Sequence, residues 1–341
     1  MRLVVFALLI FPVCLLAMPD EDWAAIAAMD AGPKRKPATQ ADVQLIARQH
    51  LEAQRALIES FLSRYPNNPM AFDARLRLAA ILAATGKMDN VQKPVDEAMR
   101  ILVGLEKAQG VALSKRADAG FQRVSLVFQG NRGREREMRD AIVDAAKGFV
   151  ARYPGDRRGP RLLVEASTIC DVSSQRALLE EARSLTSEDA LKSRISDDLA
   201  RLALLDKPLQ FSAETIRGGR FDTATLEGNV VVLVFWSAES PHCLIWLPEF
   251  IRAMRQIPQA RVRIVLIALD SSQQAVAGRL AQLGIPEWTT VCDGKGWESP
   301  LARRLGINSL PTVIVLDRSG VVRSISARGD YDLVIRRLLR E

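Results

Sequence analysis

The stretches Val230–Val234 and Ile264–Ile267 are apolar without interruption and rich in β-branched residues, and they constrain the fold more than any other feature. A strand covered on one face alternates apolar with polar residues. An unbroken β-branched run suits a strand covered on both faces, as in a parallel sheet held between helices. Around these runs, predicted strands and helices alternate. Strand Val230–Trp236 leads to a helix from about Pro241 to Gln256, and strand Arg263–Leu269 leads to a helix over Ser272–Leu283. A short strand Trp288–Cys292, a short helix Pro300–Leu305, strand Thr312–Leu316, a turn at Asp317–Gly320, strand Val321–Ser326 and a helix from Tyr331 complete the order. This order predicts an α/β domain.

Before about Asp206-Lys207-Pro208 the pattern is helical. Apolar residues recur at three- and four-residue spacings in Val43–Phe61, Ala71–Ala83, Val95–Leu105 and Met138–Val150, and helices are predicted through to about Leu205. Breaks are predicted at Tyr65–Pro69, Gly86, Gly110 and around Gly130 to Gly133. Phe61–Pro66 and Phe149–Pro154 share the pattern Phe-x-x-Arg-Tyr-Pro, each ending one helix and leading into another. This joint resembles those of tetratricopeptide-like helical-hairpin proteins. An irregular helical bundle accounts for the pattern equally well, because no clear period links the copies. The resulting division is a polar linker at 18–39, an all-α domain at 40–205 and the α/β domain at 210–341.

At the N-terminus, Met1-Arg2 precedes an apolar run, Leu3 to Ala17, and then Asp20, Glu21 and Asp22. A charged start, a short apolar core and a small final residue make residues 1–17 a predicted secretory signal. The run is short for a membrane-spanning helix, although left uncleaved it would anchor the chain to a membrane. The mature protein is therefore expected outside the cytoplasm, periplasmic or secreted, where disulfides are permitted. Without the signal, Cys170, Cys243 and Cys292 remain. Three is odd, so at least one thiol is free or pairs with another molecule. Cys292 has two conceivable partners within the chain, Cys243 and Cys170, with a free thiol as the default. The two histidines, His50 and His242, form no zinc-ligand spacing, so no metal and no cofactor are expected. The net charge of +7 comes without a long basic block or basic–aromatic interleaving, and the composition argues against a nucleic-acid partner. His50 reads as a surface residue. Arg328-Gly329-Asp330 reads as a turn and helix cap.

The most specific motif is Val231–Trp236 followed by Ser237-Ala238-Glu239-Ser240-Pro241-His242-Cys243 and Leu247-Pro248-Glu249. It resembles the strand, active-site loop and first helix of the TlpA/redoxin group of the thioredoxin-like superfamily. Gly306–Thr312 resembles the loop carrying that fold's cis-proline, here Pro311, and Leu316-Asp317-x-x-Gly320 resembles its hairpin. The resemblance covers Arg220 to Glu341 and implies a thioredoxin fold, with a groove at Trp236, Leu310 and Pro311 that takes an extended protein or peptide segment.

The family's chemistry is only partly carried. Dithiol exchange needs a low-pKa thiolate at the helix N-terminus, which attacks a substrate disulfide before a second cysteine resolves the product. Here Ser240 occupies the attacking position and Cys243 the resolving one. A serine hydroxyl stays protonated near neutral pH and cannot exchange with a disulfide. Pro241-His242 is the dipeptide of the strongly oxidising DsbA type, in which an imidazole helps to stabilise thiolate. Glu239 stands where the family has tryptophan, Trp246 where it has glutamate, and Val234 where some thioredoxins bury an acid. Ser-x-x-Cys also resembles the peroxiredoxin motif, whose reactive cysteine aligns with Cys243. The arginine those enzymes place near the Pro311 position is missing.

Three readings follow: a non-catalytic protein-binding module, a redox enzyme using Cys243 as a monothiol or weak peroxidase, and a structural scaffold. If catalytic, the residues are Cys243, His242 and Ser240, and the chain is a thioredoxin-family oxidoreductase.

Overall fold

The computed structural model describes residues 18–130, 137–285, 288–325 and 331–341. The predicted signal, Cys14, most of the 130–133 break and Arg328–Asp330 lie outside the described residues. The chain forms two compact units, Met1–Arg158 and Gly159–Glu341.

The first unit contains helices α1 (Pro19–Ala28), α2 (Gln40–Arg64), α3 (Ala71–Asp89), α4 (Gln92–Glu106), α5 (Leu113–Gly130) and α6 (Arg139–Arg152). Part of the stretch expected to be a polar linker is thus helical. Pro19 and the acidic Asp20–Asp22 suit a helix start, and Ile26 and Trp23 bring apolar surface to the core. Trp23 packs 5.7 Å from Phe61, with the Arg77 guanidinium 4.8 Å above its ring. His50 is half-buried rather than a plain surface residue, and its Nε2 donates to the Met29 carbonyl at 3.0 Å. Thr39 and Asp42 form a reciprocal capping box that starts α2.

Gly86 does not break its helix, because α3 runs through it to Asp89 and Asn90 ends the helix with φ +53°. A Cβ at Gly86 would meet Val95 Cγ2 at 2.8 Å, so the glycine is needed for the close approach of α4. The two Phe-x-x-Arg-Tyr-Pro joints share one local geometry. Tyr65 and Tyr153 donate their N–H groups to Phe61 and Phe149 at 2.8 and 2.9 Å, and their rings pack on those phenylalanines at 5.2 and 5.0 Å. Tyr153 also donates its hydroxyl to Glu106 at 3.0 Å.

The second unit begins with α7 (Arg158–Ser167), α8 (Val172–Leu185) and α9 (Asp189–Leu202). Residues 204–209, between α9 and the first strand, are bonded to the sheet of this unit. Leu204 and Leu205 pack on its apolar core, Asp206 donates to Val322 at 2.9 Å and Leu209 donates to Gly320 at 2.9 Å. A small hairpin of β1 (Ser212–Glu214) and β2 (Arg220–Asp222) follows, unforeseen in the sequence.

The α/β order matches expectation to within two residues at most element ends: β3 (Val230–Trp236), α10 (Pro241–Arg255), β4 (Val262–Ala268), α11 (Gln273–Gln282), β5 (Thr289–Val291), α12 (Pro300–Arg304), β6 (Thr312–Leu316), β7 (Val322–Ser324) and α13 (Tyr331–Leu338). The strands form one sheet in the order β5-β4-β3-β6-β7, with β3 parallel to β4 and antiparallel to β6. Every residue of β3 is buried. Val230, Val232, Val234 and Trp236 face a core shared with α10, α11 and α13, while Val231, Leu233 and Phe235 face one containing Leu209, Phe211, Phe221 and Leu305. Two covered faces explain the unbroken apolar run.

Candidate functional site

The register brings several loops to one end of the sheet. At the C-terminal end of β3, Trp236 lies beside Ala268 of β4 and Phe235 beside Thr312 of β6. The loops at 237–240, 269–272 and 306–311 therefore converge where β3 changes from a parallel to an antiparallel neighbour. Such a crossing of loops at strand ends is a favoured ligand position in α/β sheets. Leu310-Pro311 is a cis peptide, as the motif implied. Pro311 is buried and Leu310 half-buried.

Ser240 starts α10 as its N-cap, with Pro241 at the first turn. Its hydroxyl accepts from the Cys243 N–H at 3.4 Å. The Ser240 hydroxyl thus serves the helix end as a hydrogen-bond acceptor. His242 is exposed, whereas Cys243 is 0% exposed and packs with Leu247, Phe250 and Met254 in the core beneath the helix. The imidazole and the thiol of the motif sit in different environments.

Trp236, which the resemblance places in the groove, is 0% exposed instead, because its side chain falls on the α10 face of a strand covered on both sides. Its indole N–H has no hydrogen-bond partner among the described residues. Trp246 stacks on Phe250 at 4.7 Å and meets the Tyr331 ring edge-on at 6.0 Å. Trp246 is thus used for aromatic packing.

Asp270 belongs to none of the sequence motifs but lies at the centre of the contacts of the 237–240 loop. This carboxylate, 5% exposed, accepts from the Ser237 hydroxyl at 2.8 Å and from the Ala238 N–H at 3.1 Å. The Ser237 Oγ in turn accepts from the Glu239 N–H at 3.1 Å. Asp270 thereby holds the whole loop between β3 and Ser240. The available signal was an acid immediately after an unbroken apolar strand, in Ala268-Leu269-Asp270.

Cys243 and Cys292 are free thiols, so neither of the pairings considered for Cys292 is present. Cys292 is buried, its Sγ lies 3.4 Å from the Asp270 carbonyl, and burial pushes its thiol pKa up. A raised pKa leaves less thiolate at neutral pH. Cys170 is half-buried with its Sγ 3.4 Å from the Ala166 carbonyl. No group of three or more His, Cys, Asp or Glu able to hold a metal occurs among the described residues, and none of their helices is long and apolar enough to cross a membrane.

Residues 228–322 match a protein family described as thioredoxin-like. No curated protein matches the chain. Similar solved structures include the C-terminal domain of a thiol-disulfide oxidoreductase from Bacteroides thetaiotaomicron, at 19% identity over 40% of this chain and 96% of that one, with TM-score 0.37. A thioredoxin-family thiol:disulfide interchange protein from Chlorobium tepidum is 23% identical over 40% of this chain and 96% of its own, with TM-score 0.34. A secreted disulfide oxidoreductase from Mycobacterium tuberculosis is 22% identical over 39% and 96%, with TM-score 0.32. Matched by family and built on the sheet β5-β4-β3-β6-β7, the C-terminal part of this chain is a thioredoxin-like domain, preceded by an all-α region.

Proposed function

We propose that this is an extracytoplasmic protein whose thioredoxin-like domain binds an extended segment of a protein partner without exchanging disulfides. The observation that carries the proposal is the α10 start: a hydroxyl holds the attacking position and the motif's only thiol, Cys243, is fully enclosed. Exchange requires a thiolate that can meet a disulfide sulfur in line, and an enclosed thiol behind a serine does not offer one. The binding half of the reading is supported by the retained groove elements, the half-buried Leu310 and the cis Pro311, beside the α10 N-terminus. Placement outside the cytoplasm rests on the apolar run Leu3 to Ala17.

The test uses the full-length protein with Cys170 and Cys292 changed to serine. Iodoacetamide should leave Cys243 unmodified in the folded state at all pH values up to that of a free thiol, and label it after denaturation. Insulin reduction by dithiothreitol should not be accelerated. A panel of extended cysteine-free peptides, screened by fluorescence anisotropy, should yield binders that Pro311→Ala weakens. Rapid labelling near neutral pH together with peroxide consumption would replace this reading with the redox one.

A further inference from the structure

Helix α9 reaches the loop that carries the cis-proline. The Arg201 Nη1 donates to the Gly306 carbonyl at 2.7 Å and to Asn308 Oδ1 at 3.3 Å, while Nη2 donates to Asp198 Oδ1. Asn308 closes the circuit, its Nδ2 donating to the same Asp198 oxygen at 2.9 Å and to the Arg194 carbonyl at 3.3 Å. The Arg201 and Asp198 side chains are only 14% and 13% exposed, so their charges are largely shielded from water. The backbones also touch. Gly306 has φ +64°, and a Cβ there would lie 2.3 Å from the Asp197 carbonyl oxygen.

The rest of the loop is pinned locally. Ile307 donates to the Ala302 carbonyl at 2.9 Å, and the Thr312 hydroxyl donates to the Ser309 carbonyl at 2.7 Å. Between these pins, Ser309 is exposed and Leu310 half-buried. The strand ladder with β3 begins only at Thr312, so residues 306–310 take their path from these contacts and not from the sheet.

We propose that Arg201 is a positioning residue for the client groove. Its guanidinium fork fixes the Gly306–Asn308 segment against α9 and so pre-places Ser309 and Leu310 for an extended polypeptide segment. This rests on the peptide-binding reading above. The planar fork is what the site uses: one nitrogen serves the loop, the other the helix carboxylate, a division that a lysine ammonium does not reproduce. Pre-placing the loop lowers the ordering cost of binding, so the clamp acts on affinity without touching the client. Helix α9 then belongs functionally to the α/β domain, although it precedes the first strand.

The experiment compares Arg201→Leu, Arg201→Lys and Leu191→Ala in the full-length protein. Leu191 is a buried α9 residue outside this circuit and serves as a stability control. Binding of the cysteine-free peptides by anisotropy is measured alongside hydrogen exchange of the Ser309 and Leu310 amides. Both Arg201 variants should weaken binding on the order of tenfold, the worth of about one hydrogen bond to a charged group, and speed those exchanges. Leu191→Ala should lower the melting temperature while leaving both readouts unchanged. Equal effects from Leu191→Ala and Arg201→Leu, or full rescue by lysine, would overturn the proposal. If the unmodified protein binds no peptide, the binding reading fails, and the exchange rates alone decide whether Arg201 positions the loop. Unchanged exchange in Arg201→Leu would overturn it.

Discussion

Replacing Gly306 with alanine should destabilise the second unit well beyond the ordinary cost of losing a turn glycine. Two effects add. At φ +64° an alanine sits in the left-handed region, which costs about 1 kcal/mol. Its Cβ would also lie 2.3 Å from the Asp197 carbonyl oxygen, over 1 Å inside ordinary contact. That oxygen belongs to helix backbone, so relief requires moving α9 off the loop, and overpacking of this kind costs roughly 1–3 kcal/mol. The expected loss is about 2–4 kcal/mol, a fall in melting temperature of roughly 5–15 °C for a unit of this size. Gly320 supplies the control, since its φ is +73° and a Cβ there meets nothing within 4 Å. Gly320→Ala should therefore cost only about 1 kcal/mol. Thermal unfolding followed by tryptophan fluorescence reports mainly on the relevant unit, because Trp236, Trp246, Trp288 and Trp297 lie in it and only Trp23 lies outside. Equal melting temperatures for the two variants would refute the reasoning, because they would mean that α9 does not press on the loop.

Three further outcomes are expected. Ser240→Cys places a thiol at the N-terminus of α10, where the helix end favours its anion; its iodoacetamide rate should report a pKa below the free value of about 8.5, which a profile at or above that value would contradict. Asp270→Ala removes the anionic acceptor of the Ser237 hydroxyl and Ala238 N–H and should cost about 2–4 kcal/mol in urea unfolding, whereas a loss below about 0.5 kcal/mol would show that the loop holds itself. Burial, reinforced by Glu106, pushes Tyr153 up to about 12, so its absorbance at ~295 nm should titrate last and vanish in Tyr153→Phe. Because the folded pKa is the higher one, the associated stability is complete below about pH 10 and is lost as pH rises through about 12.

Much of this architecture was legible because it rests on local chemistry. The apolar run of β3 needs helices on both faces, and its neighbour β4 carries the same signature. The resemblance places the start of a helix after Ser240 and a cis-proline at Pro311, and the helix start and the cis peptide are found there. The weaker expectations failed where a neighbour in space overrode local preference. Gly86 reads as a stop signal, but α4 packing turns it into a point of close approach. Residues 18–39 read as polar, yet Ile26 and Trp23 are enough to dock α1. Nothing local says that Asp206–Leu209 pairs beside β7.

The sequence by itself determined the order of elements in the α/β domain, and its resemblance to the thioredoxin-like superfamily pointed to the Ser240–Cys243 loop and to the loop carrying Pro311. The element order depends on apolar patterning within a few positions, and the resemblance on short motifs that are equally local. Only the tertiary structure decided that Cys243 is enclosed while His242 is exposed, that Trp236 faces inward, and that Asp270 and Arg201 hold the two loops of the site. Ser237 and Asp270 are 33 residues apart, and Arg201 and Gly306 are 105 apart. Contacts over such separations exist only once sheet register and helix packing have been set, so no local pattern in the chain encodes them in readable form.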